Sequence, residues 1–256
     1  MTGQPKSVVA VVGAAGALGR AVCDAVARRG HSVWAVDTVD PSAALADLPG
    51  SGHRAGLVDV TDQGSVEEML RDAAGPGERL DGLVYTAGVN YTGPVATTDW
   101  SQYDRLMEVN LRGAFRTGQA VARALADDPH PFGAVFLSST AGLRGEAGGS
   151  VYCASKFGLI GFVQSFAAEI AAYGGRANAV CPGNVDSPML RRLAAQVAER
   201  EHTSEAEVLA RFADASAFRR LIDPAEVGRT CAWLVSTESS GISGQTLVVD
   251  GPPPAG

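Results

Sequence analysis

The sequence is poor in the features that build metal sites, disulfide scaffolds and polyanion-binding surfaces. Its four cysteines, Cys23, Cys153, Cys181 and Cys231, lie far apart and form no C-x-x-C pair. That excludes a zinc ribbon and a disulfide framework and fits a reduced, cytoplasmic protein. The histidines His31, His53, His130 and His202 show no ligand spacing, so no metal is expected. There is no run of Lys or Arg, and 21 basic against 28 acidic residues leave a net charge of -7, which repels nucleic acid and anionic lipid. Met1 to Val12 carries one lysine and an apolar run too short to cross a bilayer, with no cleavage-type flank, and reads as a strand. No internal repeat is visible, and low complexity is confined to the proline tail Gly251 to Gly256.

What is present is an alternation. At 256 residues and 46% hydrophobic, the chain fits one large α/β domain over residues 1–256. Short, almost continuously apolar runs occur at Ser7 to Val12, Ser32 to Val36, Gly82 to Tyr85, Ala134 to Leu137, Ala177 to Val180 and Thr246 to Val249. Runs of that kind are strands buried on both faces. Between them lie stretches of helical period: Leu18 to Arg29, Gly64 to Ala74, Gln102 to Asp127, Val151 to Ala172 and Pro224 to Ser236. Parallel strands need such crossovers, so the expected fold is a Rossmann-like, doubly wound parallel sheet flanked by helices. The helices from Gln102 and Val151 are apolar on more than one face, which predicts packing against another subunit, with burial inside the monomer as the alternative. Asp186 to Ala217 is polar, helical and weakly patterned, and reads as a lid at about 186–217.

Gly13-Ala14-Ala15-Gly16-Ala17-Leu18-Gly19 follows the first strand and opens a helix. In this context glycines permit close backbone approach, and the helix N-terminus presents free N–H groups to a dinucleotide pyrophosphate. Asp37 ends the second strand, 18 residues past Gly19. A carboxylate there accepts hydrogen bonds from both ribose hydroxyls and repels a 2'-phosphate, and neither Ala14, Ala15 nor Thr38 is basic, so NAD(H) is favoured over NADP(H). Asp59-Val60 after the third strand and Thr86-Ala87-Gly88 after the fourth occupy strand carboxyl ends, where ligands bind in open parallel sheets.

Ser138 and Ser139 end the fifth strand; Tyr152 follows Ser139 by thirteen residues and Lys156 follows by four more. The four-residue step puts Tyr152 and Lys156 on one helix face, where an ammonium favours a phenolate. A phenol begins near pKa 10, so its use as a base requires a shift that Lys156 and an oxidised nicotinamide supply together. Ser139 then holds the substrate oxygen while Tyr152 exchanges its proton.

These residues, in this order, resemble the short-chain dehydrogenase/reductase family over essentially the whole chain. The resemblance rests on the Gly13 to Gly19 turn, Asp59-Val60, Thr86-Ala87-Gly88, Asn110, Ser139, Tyr152-Cys-Ala-Ser-Lys156, Pro182-Gly183 continuing to Ser187, and Asp250-Gly251. It implies that Ser139 orients the carbonyl, that Tyr152 is the acid/base, and that Lys156 binds the nicotinamide ribose and lowers the tyrosine pKa. It further implies that Asn110 supports a water linking the lysine to solvent and that Pro182, Gly183, Val185 and Ser187 contact the nicotinamide half. Ala15, Gly16, Ala17 and Leu18 are expected at the cofactor beside Gly13 and Gly19. A homotetramer, or a homodimer, is implied through the long helices and C-terminal segment. Departures are Val12 where threonine is usual, Ala17 for a glycine, Thr86 for asparagine, Ser187 for threonine and Pro252 for a glycine.

Arg144, Glu146, Tyr91, Met189 and Leu190 stand where either a pocket wall or ordinary surface and packing roles apply. The expected activity is interconversion of a secondary alcohol and a ketone. Alternatives are an NADPH-dependent ketoreductase, sugar-nucleotide epimerisation or dehydration, and a non-catalytic NAD-binding regulator. An enoyl reductase is disfavoured because the wider tyrosine-to-lysine spacing meets Leu159.

Overall fold

A computed structural model describes residues 5 to 251. Of the proline tail only Gly251 falls within that range, and Pro252 lies outside the described residues. Seven parallel strands form one sheet in the order β3-β2-β1-β4-β5-β6-β7: β1 Lys6–Val12, β2 Ser32–Asp37, β3 Arg54–Leu57, β4 Glu78–Tyr85, β5 Phe132–Leu137, β6 Gly175–Pro182 and β7 Thr246–Val249. The chain winds outward from β1 through β2 to β3, then restarts at β4 on the other side. The carboxyl ends of β1 and β4 therefore flank a crevice.

Every apolar run marked in the sequence is a strand. β4 begins earlier than Gly82, because Glu78, Arg79 and Leu80 also pair with β1 ahead of a register shift between Val8 and Val9. Their polarity hid them from a search for apolar runs. Helices α1 (Ala17–Arg28) and α8 (Pro224–Val235) cover one face of the sheet, and α2 (Gln63–Arg71), α4 (Gly113–Asp127) and α5 (Ser150–Ile170) the other.

The single helix expected over Gln102 to Asp127 is instead three pieces in line. α3 (Trp100–Met107) starts where the Asp99 side chain accepts from Ser101 N, a π-helical turn spans Glu108–Arg112, and α4 continues. The wider turn adds one residue without breaking the helix, so an apolar period averaged over the segment does not reveal it. α5 is long and apolar enough to cross a membrane, yet Leu159, Val163 and Ile170 along it are fully buried in the core. Its other side, with α4, leaves Phe157 and Phe115 exposed.

The segment expected to be a lid folds as a hairpin of α6 (Pro188–Glu201) and α7 (Glu205–Asp214) with a small core of its own around Ala194, Val197, Ala198 and Val208. Ser187 caps α6, and Ser204 with Glu207 forms a capping box on α7.

Gly228 on α8 sits so close to α1 that an added Cβ would lie 2.4 Å from Ala21 O. We expect Gly228→Ala to force the helices apart at a cost of about 1–3 kcal/mol, lowering Tm by roughly 3–10 °C in circular-dichroism melts. An unchanged Tm would show that the two helices yield freely.

Candidate active site

The glycine turn is a backbone-packing device. Gly13 has φ +86°, and a Cβ on it would lie 2.5 Å from Ala87 N; one on Gly19 would lie 2.2 Å from Gly13 O. Both positions exclude any side chain. Gly16 precedes α1 in an extended conformation, and no side chain caps the helix, so its first-turn N–H groups remain open. Ala17 is the first helical residue. Thr86, another departure, places its hydroxyl 2.8 Å from Val12 O and 3.0 Å from Gly13 O, tying β4 to the turn. The Asp37 carboxylate accepts from Ala15 N at 3.0 Å and from Thr38 N at 2.7 Å. Asp59 accepts from Thr61 N at 2.8 Å, shaping the next loop.

A crevice of about 680 Å³ opens over this turn, within the size range of cofactor pockets. Its wall gathers Gly13, Ala15, Gly16, Ala17, Leu18, Gly19 and Asp37 from one half of the sheet with Asp59, Val60, Ala87, Gly88 and Ser187. Ser139, Tyr152, Lys156, Pro182, Gly183 and Val185 do not line it. The Val185 side chain packs into the core beneath α8. Its bridge to Ile222 runs through Asn184 O and Asp186 N, so its main-chain groups face the other way. Gly183 is a forced glycine, because a Cβ there would lie 2.3 Å from the Asp250 carboxyl carbon.

Deeper, at the end of β5, the chemical residues converge. Ser139 caps a short 3₁₀ turn, and its Oγ accepts from Ala141 N at 3.1 Å. Tyr152 and Lys156 lie on the first turns of α5, with Lys156 Nζ 5.6 Å from the Tyr152 ring centroid. Lys156 is buried and donates to Leu137 O at 2.8 Å, while Ser138 Oγ donates to Lys156 O at 3.0 Å. Asn110, fully buried in the π turn, accepts from Val89 N at 2.8 Å and donates to Val89 O at 2.9 Å and to Ser155 Oγ at 3.2 Å. It therefore clamps the loop after β4 to α5. Gly88 leaves the space between them open: a Cβ there would lie 3.4 Å from Asn110 Oδ1 and 3.7 Å from Lys156 Nζ.

A family model described as Enoyl-(Acyl carrier protein) reductase matches residues 13–251. The chain belongs to the short-chain dehydrogenase/reductase family. It is 34% identical over 244 residues to Oxidoreductase UcpA of Salmonella typhimurium, covering 94% of this chain and 92% of that protein. It is 31% identical over 245 residues to the 3-oxoacyl-acyl-carrier-protein reductase FabG of Escherichia coli, covering 95% and 96%. Among solved structures, a variant of actinorhodin polyketide ketoreductase with NADPH superposes with a TM-score of 0.88 at 26% identity, covering 98% of each chain. This family member is an oxidoreductase acting on a CH–OH or carbonyl group with a nicotinamide cofactor. The side-chain-free cradle at Gly13 and Gly19 and the open N–H groups of α1 fit that cofactor's pyrophosphate.

In this short-chain dehydrogenase/reductase the electrostatics run against the simplest expectation. Burial pushes the Tyr152 phenol up to about 12, outweighing the Ser139 hydrogen bond that lowers it. Burial also pulls Lys156 down to about 8. Burial thus opposes the ionised phenol, and positive charge beside it acts in the other direction. Several contributors carried no sequence signal. Arg20 Nε donates to Ala15 O at 3.1 Å, and Arg105 and Arg192 line the crevice, brought there by α3 and α6. Tyr91 and Met189 line cavities, whereas Leu190 is buried and Arg144 and Glu146 are exposed.

Lys6 and Lys156 are the only lysines in the sequence. In the cofactor-free protein labelled with ¹⁵N-lysine, we expect the Lys156 amine, assigned by its loss in Lys156→Ala, to titrate near pH 8. A folded pKa below the unfolded one also means that stability rises with pH from about 8 to about 10.5 through this group. A midpoint above pH 10 would refute the burial argument.

Proposed function

We propose that this enzyme interconverts a secondary alcohol and a ketone with NAD(H). The observation that carries the reading is the convergence of Ser139, Tyr152 and Lys156 at the end of β5. In oxidation, Ser139 Oγ donates a hydrogen bond to the substrate oxygen, and Tyr152 Oη removes the carbinol proton; in reduction, Tyr152 returns it. Lys156 holds positive charge beside the phenol, and Asn110 keeps the Val89 loop in register. The bound nicotinamide supplies the hydride acceptor or donor. Leu159, where a wider spacing needs a lysine, is fully buried in the core, which weighs against enoyl reduction.

Asp37 supports NAD(H): its carboxylate lines the crevice and repels a 2'-phosphate. Arg20 favours a second reading, NADP(H), because its guanidinium is held beside Ala15, and the related actinorhodin ketoreductase carries NADPH. The remaining parts of the proposal are a cytoplasmic protein, a small-molecule substrate, no nucleic acid or membrane partner, and a homotetramer. The apolar flanks of α4 and α5, where Phe115 and Phe157 are exposed, support assembly.

Fluorescence titration is expected to show tighter binding of NADH than of NADPH, with Asp37→Ala narrowing the kcat/KM preference for NAD over NADP. Tighter NADPH binding would transfer the assignment to Arg20. We further expect Tyr152→Phe to lower kcat at least about 100-fold while leaving the Kd for NADH within about three-fold. Near-normal turnover in that variant would instead mean a reaction that does not use the tyrosine.

A further inference from the structure

Past Gly88 the crevice continues away from the glycine turn. A second cavity of about 250 Å³ lies between α3 and α6, and a third of about 500 Å³ follows it. Arg105 on α3 and Arg192 on α6 line both the first and the second cavity, so they stand where the two meet. Gln102 and Gln196, from the same two helices, line the second and third. Neither of these outer cavities has an acidic residue in its wall, in a chain whose net charge is -7.

The neighbouring acids are already engaged. Glu108 binds Arg112 at 2.6 Å and Arg116 at 2.5 Å, Asp186 binds Arg191 at 2.7 Å, and Glu201 binds Arg211 at 2.5 Å. Among the described residues Arg105 and Arg192 therefore have no carboxylate partner. We infer that this groove binds an acidic group of the substrate, a carboxylate or phosphate ester carried at the end remote from the reacting carbon. Two guanidinium forks facing one space match such oxygens, and the amides of Gln102 and Gln196 add neutral donors.

The location of the reacting carbon rests on the alcohol–ketone reading; the anion site itself does not. Gly88 connects the two, since it lines the groove and a Cβ on it would lie 3.7 Å from Lys156 Nζ. Arg192 belongs to the α6–α7 hairpin and Arg105 to α3, so an anion held between them bridges the two elements. The groove thus selects acidic hydroxy or keto compounds.

The test compares wild type with Arg105→Gln/Arg192→Gln, each saturated with NADH, by calorimetric titration with malonate, glycerol 3-phosphate and acetoacetate, and with methyl acetoacetate as the uncharged control. Both arginines are exposed, so the fold should survive, and a melt checks it. We expect at least one anion to bind wild type more tightly than the control, to weaken with salt, and to lose at least about ten-fold in affinity in the variant, with the Kd for NADH unchanged. Equal anion affinity in both proteins, or no anion binding to wild type, overturns the inference. A parallel loss of NADH affinity overturns it too, since the arginines would then serve the cofactor phosphates. Anion binding that persists while no ketone is turned over leaves the groove intact and sinks only the alcohol–ketone reading.

Discussion

The site depends on one junction, the docking of the first turns of α5 onto the end of β5. Lys156 reaches under the strand to the carbonyl of Leu137, and Ser138 reaches back to the carbonyl of Lys156. Gly142 permits the approach, because a Cβ there would lie 2.9 Å from the Lys156 carbonyl carbon. A buried ammonium without such an oxygen would be expelled or neutralised. With it, the helix is held at a set height above the sheet, and Tyr152, one turn earlier, is held opposite Ser139.

The same burial that locks the helix opposes the chemistry. Desolvation raises the phenol and lowers the amine, each a shift toward the neutral form. Positive charge entering the neighbouring crevice would act on the phenol in the opposite direction to burial, favouring its ionised form.

Asn110 links the two compartments. The π turn carries it inward, where its amide holds both main-chain groups of Val89 and contacts Ser155 on α5. The loop it fixes forms the floor between the dinucleotide crevice and the arginine-lined groove. One helical irregularity thus joins the loop after β4, the first turns of α5 and the groove beyond them.

Six of the strands, the glycine turn and the spacing of Ser139, Tyr152 and Lys156 were legible along the chain, because each is a local property: apolar run length, a turn that admits no side chain, and one helical turn between partners; β3, Arg54–Leu57, offers no such run. The three-part helix was not legible, since an extra residue in one turn barely alters an averaged period. The groove of Arg105 and Arg192, and the effect of burial on the tyrosine, came only from the folded chain. Residues 87 positions apart meet there, and burial depends on what the rest of the molecule packs around a group. Local pattern sets which elements form and which residues are chemically able; tertiary packing sets their neighbours, their charge states and the space left for a substrate.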